Sequence, residues 1–149
     1  MDILRRNTDY ALRAMVYLAR HYEDGLVTAR QVSQKGDVPY QLASKLLQKL
    51  HKVGLVESSM GPKGGFRLSK SLSNISLLEI IETIQGRVQL SRCLIGKDIC
   101  QHQKSCKVRA KLAELEKSIN SYLGSVTLEE IVRQKAHDSK RERTKRRKK

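Results

Sequence analysis

Three cysteines, Cys93, Cys100 and Cys106, lie within one polar stretch of fourteen residues, and the chain has no others. Thiolates are good ligands for transition metals and are also the nucleophilic, oxidisable form of cysteine. An odd number of cysteines argues against a framework of disulfide bonds. The sequence therefore predicts one segment, 93–106, that binds a metal or acts as a reactive thiol, and two side chains within it bear on that choice: His102 as a further ligand and Lys104 as a neighbouring positive charge.

The amino-acid composition of the whole chain favours a polyanionic binding partner. The 149 residues include 30 Lys and Arg against 15 Asp and Glu, a formal net charge of +15. Such an excess suits nucleic acid, because each neutralised phosphate releases condensed counterions. The sequence has no apolar run near the roughly 20 residues of a membrane span, and its first residues lack the apolar core of a signal peptide. We therefore expect a cytoplasmic protein without membrane contact, built around one core.

Much of the positive charge lies at the end of the chain. From residue 133 to residue 149 there are ten basic side chains against two acidic ones, a net charge of +8. A block of like charge with no apolar residue after Ala136 cannot pack into a core. We predict a disordered basic tail at 135–149, acting either as a DNA-affinity arm without sequence preference or as a solvated extension.

Three helices are predicted in the first third of the chain. Apolar residues recur at helical spacing over 7–22. A second, short helix is opened by Thr28 and Gln31, which have the spacing of a capping box. A third begins near Pro39, a residue that suits the first turn of a helix, and ends at Gly54.

The third helix has the two faces expected of a DNA-recognition helix. Its predicted buried stripe consists of Leu42, Leu46, Leu50 and Val53. The opposite, polar face consists of Gln41, Ser44, Lys45, Gln48, Lys49 and Lys52. Amide and hydroxyl groups can hydrogen-bond base edges in the major groove, whereas lysines suit phosphates. We therefore predict that these six polar residues bind DNA.

A β-hairpin is predicted directly after the third helix. Strand-like runs at 55–59 and 66–69 flank a glycine-rich tip, which places Lys63 and Arg67 where a narrow minor groove would attract them. Three helices followed by a hairpin is the element order of a winged helix-turn-helix. We assign residues 1–86 to this DNA-binding domain, with mainly α structure and a small β-hairpin wing.

Two further helices frame the cysteine segment. Ser76 and Glu79 form a second capping-box pattern, which opens a helix that ends at Gly86. We assign residues 87–106 to a cysteine loop and residues 107–134 to a long dimerisation helix with a short terminal helix. The long helix carries a heptad-like seam of Val108, Leu112, Leu115, Ile119 and Tyr122. An isolated helix of that length is unstable in water. We favour a partner helix in a homodimer, with packing inside its own chain as the alternative.

Several sequence motifs, taken together, are specific enough to suggest a protein family. They are Thr8-Asp-Tyr-Ala-Leu-Arg-Ala-Met15, Val38-Pro39 through Leu46-Leu-Gln-Lys-Leu50, Gly54-Leu-Val56, Gly61-Pro-Lys-Gly-Gly-Phe-Arg-Leu68 and the three cysteines. Together they resemble the Rrf2 family of bacterial winged-helix regulators, over about residues 1–134. The resemblance implies a homodimer on a pseudo-palindromic DNA operator, with an iron–sulfur cluster held by Cys93, Cys100 and Cys106.

The resemblance also bears on the type of cluster. Asp9 matches an aspartate with which nitric-oxide-sensing members complete a [4Fe-4S] cluster, whereas Arg109 replaces a histidine that completes a [2Fe-2S] cluster in other members. This favours [4Fe-4S] over [2Fe-2S] and makes Asp9 a fourth-ligand candidate. An aspartate in a first helical turn also complements the helix dipole without any metal. Met60 and Ser44 depart from the family's DNA-reading residues, so no operator preference is carried over.

Chemistry leaves two rivals to the cluster. The gaps of six and five residues between the cysteines are wider than those of most structural zinc sites, whereas three thiolates suit an iron–sulfur core. A zinc site and a metal-free thiol switch stay as alternatives. The thiol switch would be promoted by nearby basic residues, which are Lys97, Lys104, Lys107 and Arg109.

The function predicted is a transcription regulator of the repressor type, whose operator affinity responds to redox, nitric oxide or iron status. An enzyme is disfavoured, because the chain lacks a glycine-rich nucleotide motif, a Cys-x-x-Cys pair and any tryptophan to line a pocket. A structural nucleic-acid-binding protein with incidental cysteines is the third hypothesis, and it predicts a flat sequence preference.

Overall fold

The computed structural model describes residues 3–96, 100–102 and 104–134. Within these ranges the elements are α1 (Arg6–Arg20), α2 (Ala29–Gly36), α3 (Tyr40–Lys52), β1 (Val56–Ser59), β2 (Gly65–Leu68), α4 (Leu77–Gln85), α5 (Lys107–Ser125) and a last helical segment, α6, at 128–134. This order confirms the mainly α fold with a two-stranded wing. The predicted basic tail at 135–149 lies outside the described residues.

The core packs α1, α3 and α4 against the inner face of the hairpin. Met15 of α1, Leu47 and Leu50 of α3 and Ile80 of α4 are fully buried, and Phe66 of β2 is nearly so. Each such side chain contributes about 1.5–3 kcal/mol through removal of apolar surface from water. The packing fixes α3 in the domain and leaves its polar side outward.

The buried face of α3 is rotated from the predicted one. Ala43, Leu46, Leu47 and Leu50 are its buried residues, whereas Leu42 is half-buried and Val53 is 54% exposed. The helix ends at Lys52, so Val53 lies beyond the last turn and outside the helical spacing. The prediction of Val53 as a buried residue is therefore wrong.

Local caps set where two helices begin. Thr28 Oγ1 accepts from the Gln31 backbone N–H (3.2 Å), and Gln31 Oε1 accepts from the Thr28 N–H (2.8 Å), which confirms the first capping box. The second forms only in half. The Ser76 hydroxyl accepts from the Glu79 N–H, but the Glu79 carboxylate pairs with Lys70 (3.1 Å) instead of turning back to the cap.

The wing is attached to the helices through an isolated β-bridge between Val27 and Phe66. β1 and β2 pair antiparallel, with Val56 opposite Leu68. Phe66 also exchanges two backbone hydrogen bonds, of 2.8 and 2.9 Å, with Val27, the second residue before α2. A Cβ on Gly65 would lie 2.7 Å from the Val27 carbonyl oxygen, so this close approach requires glycine.

The C-terminal helices return to the DNA-binding domain. Leu77 and Leu128 donate backbone hydrogen bonds to Val126 (2.9 Å) and Ile75 (3.0 Å), and the Leu128 side chain is fully buried. The start of α4 is therefore fastened to the junction between α5 and α6. None of the helices in the described ranges has the length and apolar character needed to cross a bilayer.

Candidate DNA-reading face and cysteine segment

The outer face of α3 presents most of the polar residues predicted to bind DNA. Gln41, Lys45, Gln48, Lys49 and Lys52 are exposed, and Ser44 is half-buried. The two glutamine amides and the Ser44 hydroxyl offer the donors and acceptors that read base edges, and the lysines flank them. The structure thus brings all six predicted residues onto one helix, although they are not equivalent.

Lys49 already has a partner inside the protein. Its ammonium group donates to the backbone carbonyl of Ile84 at 3.0 Å. Ile84 lies in the last turn of α4, where carbonyl groups without a helical partner attract cations. Lys49 therefore fastens α3 to α4, a role that the sequence did not predict because the two residues are 35 positions apart.

Tyr40 is a candidate DNA contact that the sequence analysis missed. It is the first residue of α3 and its side chain is 54% exposed. The N-terminal residues of a recognition helix are the ones that reach base edges. Its place directly after Pro39, with no role in the core, was the signal in the sequence.

The two predicted wing residues differ in their surroundings. Lys63 is exposed at the tip. Arg67 lies opposite Glu57 in the hairpin, and its guanidinium donates to the Glu57 carboxylate from both Nε and Nη2 at 2.8 Å. A phosphate would have to compete with that surface ion pair, which is worth about 1 kcal/mol or less. Met60, beside the tip, is 97% exposed.

The three cysteines are free thiols with different exposure. Cys93 and Cys106 are half-buried, and Cys100 is exposed. Cys106 is the N-cap of α5, where its sulfur accepts from the backbone N–H of Arg109 at 3.4 Å. Unpaired amides at a helix N-terminus suit an anionic group. Cys106 Sγ therefore lies at the N-terminus of α5, against a backbone amide of its first turn.

Arg109 joins two of the cysteines. Besides its backbone contact with Cys106, its side-chain Nε donates to the Cys93 carbonyl oxygen at 2.9 Å. The Cys93 sulfur lies 3.1 Å from the Ser91 hydroxyl. The sequence marked Arg109 only as the replacement of a histidine, and its contact across 16 positions has no local signature.

The same face of α5 holds the chain that leads into the cysteine segment. The Glu116 carboxylate accepts from the Leu90 N–H at 2.9 Å, and the Asn120 amide donates to the Val88 carbonyl at 3.4 Å. Arg109, Glu116 and Asn120 are seven and four residues apart, which places them along one side of the helix. Residues 88–93 are therefore fixed to α5 at three points.

The donor set, three thiols in one segment, fits an iron–sulfur group in its chemistry. Among the residues that the structure describes, no three His, Cys, Asp or Glu side chains are grouped as ligands. The exposed Asp9 carboxylate pairs with Arg13 at 2.9 Å and faces a polar cleft of about 590 Å³ beside the α2–α3 turn. Cys93 and Cys106 share Arg109, whereas Cys100 is separated from each by residues outside the described ranges.

Comparison with known proteins decides the family. A family model named Rrf2, described as an iron-dependent transcriptional regulator, matches residues 4–134. The chain belongs to the Rrf2 family. The resemblance inferred from the motifs is thereby confirmed.

Curated relatives within the Rrf2 family are transcription regulators. The chain is 35% identical over 124 residues to the HTH-type transcriptional regulator IscR of Xenorhabdus nematophila, covering 83% of this chain and 75% of that protein. It is 34% identical over 123 residues to IscR of Photorhabdus laumondii, covering 83% and 74%. The prediction of a transcription regulator, and not an enzyme, is confirmed.

Solved Rrf2-type structures share the fold. IscR of T. potens aligns with a TM-score of 0.72 at 23% identity, over 88% of this chain and 86% of that one. CymR of B. subtilis, described as the global cysteine regulator of that organism, aligns with a TM-score of 0.75 at 22% identity, over 89% and 97%. At these identities the likeness establishes the winged-helix architecture.

Proposed function

We propose that this Rrf2 protein is a homodimeric repressor, acting in the cytoplasm, whose affinity for a pseudo-palindromic operator is set by an iron–sulfur cluster on Cys93, Cys100 and Cys106. The observation that carries the proposal is the contact of Arg109 with both Cys93 and Cys106 at the start of α5. One helix thereby holds two of the sulfur-bearing residues and the chain that connects them to the DNA-binding domain.

The proposed DNA contacts divide by chemistry. Gln41, Ser44 and Gln48 read base edges, with Tyr40 at the entrance of the helix, because amide, hydroxyl and phenol groups can donate and accept there. The phosphate contacts are Lys45, Lys52, Lys63 and, after release from Glu57, Arg67. Lys49 reaches a phosphate only if its bond to Ile84 opens.

The proposed cluster is of the [4Fe-4S] type in preference to [2Fe-2S]. When bound, it supplies iron that reacts with oxidants and nitric oxide. Cys106 would offer its sulfur to the group at the α5 N-terminus, Cys93 is oriented by Arg109, and exposed Cys100 would supply the third sulfur. Asp9 is the proposed fourth ligand. Its ion pair with Arg13 must open for that role.

The homodimer is proposed from the exposed side of α5. Val108, Leu115 and Tyr122 are 67%, 51% and 68% exposed, and their seven-residue spacing lines them up on one side of the helix. Leu112 and Ile119, the other members of the predicted seam, are half-buried. A second copy covering the exposed stripe would give two reading heads, which a palindromic operator requires.

Anaerobic purification tests the cluster directly. The probe for DNA binding is a fragment selected by the parent protein from a random-sequence library. We expect iron and sulfide in the parent, and loss of both, with a severalfold or larger change in affinity for the fragment, on replacing Cys93, Cys100 or Cys106 with Ala. Ser105→Ala, in the same segment, is the matched control. Zinc alone, or cysteine variants that bind like the parent in all redox conditions, would refute the proposal.

A metal-free thiol switch is the second candidate, because the exposed Cys100 thiol is open to oxidants. It predicts a parent protein without iron or sulfide whose binding to the selected fragment changes on mild oxidation. That response should disappear in Cys100→Ser and persist in Ser105→Ala.

A further inference from the structure

The last residue of α4, Gln85, holds the start of the chain. Its Oε1 accepts from the Arg5 backbone N–H at 2.9 Å and from the Thr8 hydroxyl at 2.7 Å, and its Nε2 donates to the Ile3 carbonyl at 2.9 Å. Thr8 is fully buried and is the one buried polar residue of the described chain. A single carboxamide thus makes three hydrogen bonds to the entry of α1.

The residue next to Gln85 is held by the recognition helix. Ile84 accepts the Lys49 ammonium through its backbone carbonyl, and the Ile84 side chain packs against the core. The end of α4 therefore contacts the entry of α1 through Gln85 and the outer part of α3 through Ile84. These two adjacent residues lie between α1 and α3, the helices that set the position of the DNA-reading face.

The chain from this junction to the first cysteine is short and fixed. Gly86, with a φ of +84°, ends α4 in a conformation that favours glycine. Val88 is then buried, and α5 holds Val88, Leu90 and Cys93 through Asn120, Glu116 and Arg109. The segment that joins the end of α4 to Cys93 is therefore held to α5 by three hydrogen bonds.

We propose that Gln85 and Lys49 are positioning residues that couple the state of the cysteine segment to the orientation of α3. The inference rests on the proposed function, since it concerns how cysteine chemistry reaches the DNA-reading face. Coupling requires contacts that differ between two states of the protein. The proposal places that difference in the Lys49–Ile84 and Gln85–Thr8 bonds, because each joins α3 or α1 to the helix that leads to Cys93.

The test compares two cysteine states of the full-length protein. Affinity for the selected DNA fragment is measured anaerobically for the parent and for Cys106→Ser, and their ratio reports the coupling. The same ratio is measured in Lys49→Met and Gln85→Met backgrounds, which remove the hydrogen bonds at nearly constant side-chain volume. We expect a severalfold ratio in the parent and a ratio within about twofold of one in both backgrounds.

Controls separate coupling from DNA contact and from folding. Lys52→Met removes a neighbouring lysine of α3 and should weaken binding equally in both cysteine states, leaving the ratio at the parent value. Gln85→Glu keeps the acceptor for Arg5 and Thr8 and should retain most of the ratio, as should Lys49→Arg, which can still donate to Ile84. Thermal unfolding of each variant checks that the domain is folded. If Gln85→Met does not fold, Lys49→Met still provides the test, because Lys49 is exposed.

The outcomes distinguish the coupling role of Lys49 and Gln85 from cysteine control of DNA binding itself. A severalfold ratio that persists in Lys49→Met overturns the coupling role and leaves the cysteine-dependent regulator intact. A ratio near one in the parent itself refutes cysteine control of DNA binding, and the coupling role with it. Loss of the ratio in Lys52→Met as well as Lys49→Met would assign the effect to lysine–phosphate contacts instead.

Discussion

At the scale of single residues, substitution of Thr8 measures how much its hydrogen bond to Gln85, at the end of α4, contributes to stability. We expect Thr8→Val to destabilise the protein by about 1 kcal/mol, because it removes a buried 2.7 Å hydrogen bond and leaves the Gln85 oxygen with one donor fewer. Urea unfolding monitored by circular dichroism measures the change. The matched control is Thr83→Val. Its hydroxyl donates to the Glu79 carbonyl one turn earlier, so a change of a few tenths of a kcal/mol is expected.

Arg109 gives a second residue-scale prediction, which concerns metal retention. Arg109→Met removes the side-chain bond to Cys93 but keeps the backbone N–H that faces Cys106. We expect the anaerobic protein to lose iron to a chelator several times faster than the parent, since one ligand-bearing residue is no longer held. Lys107→Met, which removes an exposed charge at the start of the same helix, should leave the rate unchanged. Equal rates for all three proteins would exclude a positioning role for Arg109.

The candidate functional residues differ in whether the nearby sequence reveals their contacts. The exposed polar face of α3 and the clustering of the three cysteines in one segment follow from residue type and helical spacing, and their roles stay predictions. The roles of Arg109, Lys49 and Gln85 were not predictable, since each depends on a contact with a residue 16 to 82 positions away. Spacing along the sequence carries no information about such partners until the helices are packed.

At the scale of elements, two glycines should respond to alanine with opposite signs. Gly124→Ala lies within α5, where its Cβ would meet Leu78 Cδ2 at an ordinary 3.6 Å. The gain from helix propensity should stabilise the protein by about 0.5–1 kcal/mol. Gly64→Ala would place a Cβ 2.3 Å from the Ser59 carbonyl oxygen and should destabilise the wing.

Chemical unfolding and binding to the selected DNA fragment check the glycine pair together. Gly124→Ala should raise the midpoint without changing affinity, whereas Gly64→Ala should weaken DNA binding through the displaced wing tip. A Gly64→Ala protein with parental affinity would mean that the wing does not touch DNA.

Element boundaries were predicted well where the signal is local. The Thr28 capping box and the glycine after α4 act on their own turns, so sequence suffices. The Ser76 pattern failed in half because Lys70, outside the helix, attracts the Glu79 carboxylate. The rotation of the buried face of α3 likewise reflects its neighbours: Ala43 and Leu47 are buried where other helices pack, which helical periodicity alone does not reveal.

At the scale of the whole molecule, the apolar residues of the α5 seam divide into a half-buried pair and an exposed set of three. The sequence grouped five apolar residues into one stripe, but the structure covers Leu112 and Ile119 with the chain's own residues and leaves the other three exposed. Packing within the chain therefore accounts for Leu112 and Ile119, and packing of the three exposed residues against a second copy stays a proposal. One side of α5 supports the cysteine segment, and the other is open to a second copy.

A charged residue in the exposed stripe of α5 should prevent association with a second copy of the chain. Leu115→Glu places a carboxylate at the centre of the line formed with Val108 and Tyr122, where a partner helix would have to bury it unpaired. We expect a dimer of the parent in sedimentation velocity at micromolar concentration, and a folded monomer for the variant. Binding to the selected palindromic fragment should then fall by at least tenfold, because one head makes half of the contacts.

The matched control for this prediction is Ser121→Glu. Ser121 is exposed and lies about 120° around α5 from Leu115 and about 100° from Asn120, so the same charge is introduced away from both the stripe and the side that holds the cysteine segment. This variant should remain dimeric and bind DNA like the parent. If Leu115→Glu also sediments as a dimer, the copies associate through another surface, and the exposed apolar side of α5 has a different partner. If the parent itself is monomeric yet binds the palindrome with full affinity, the requirement for two linked heads is wrong.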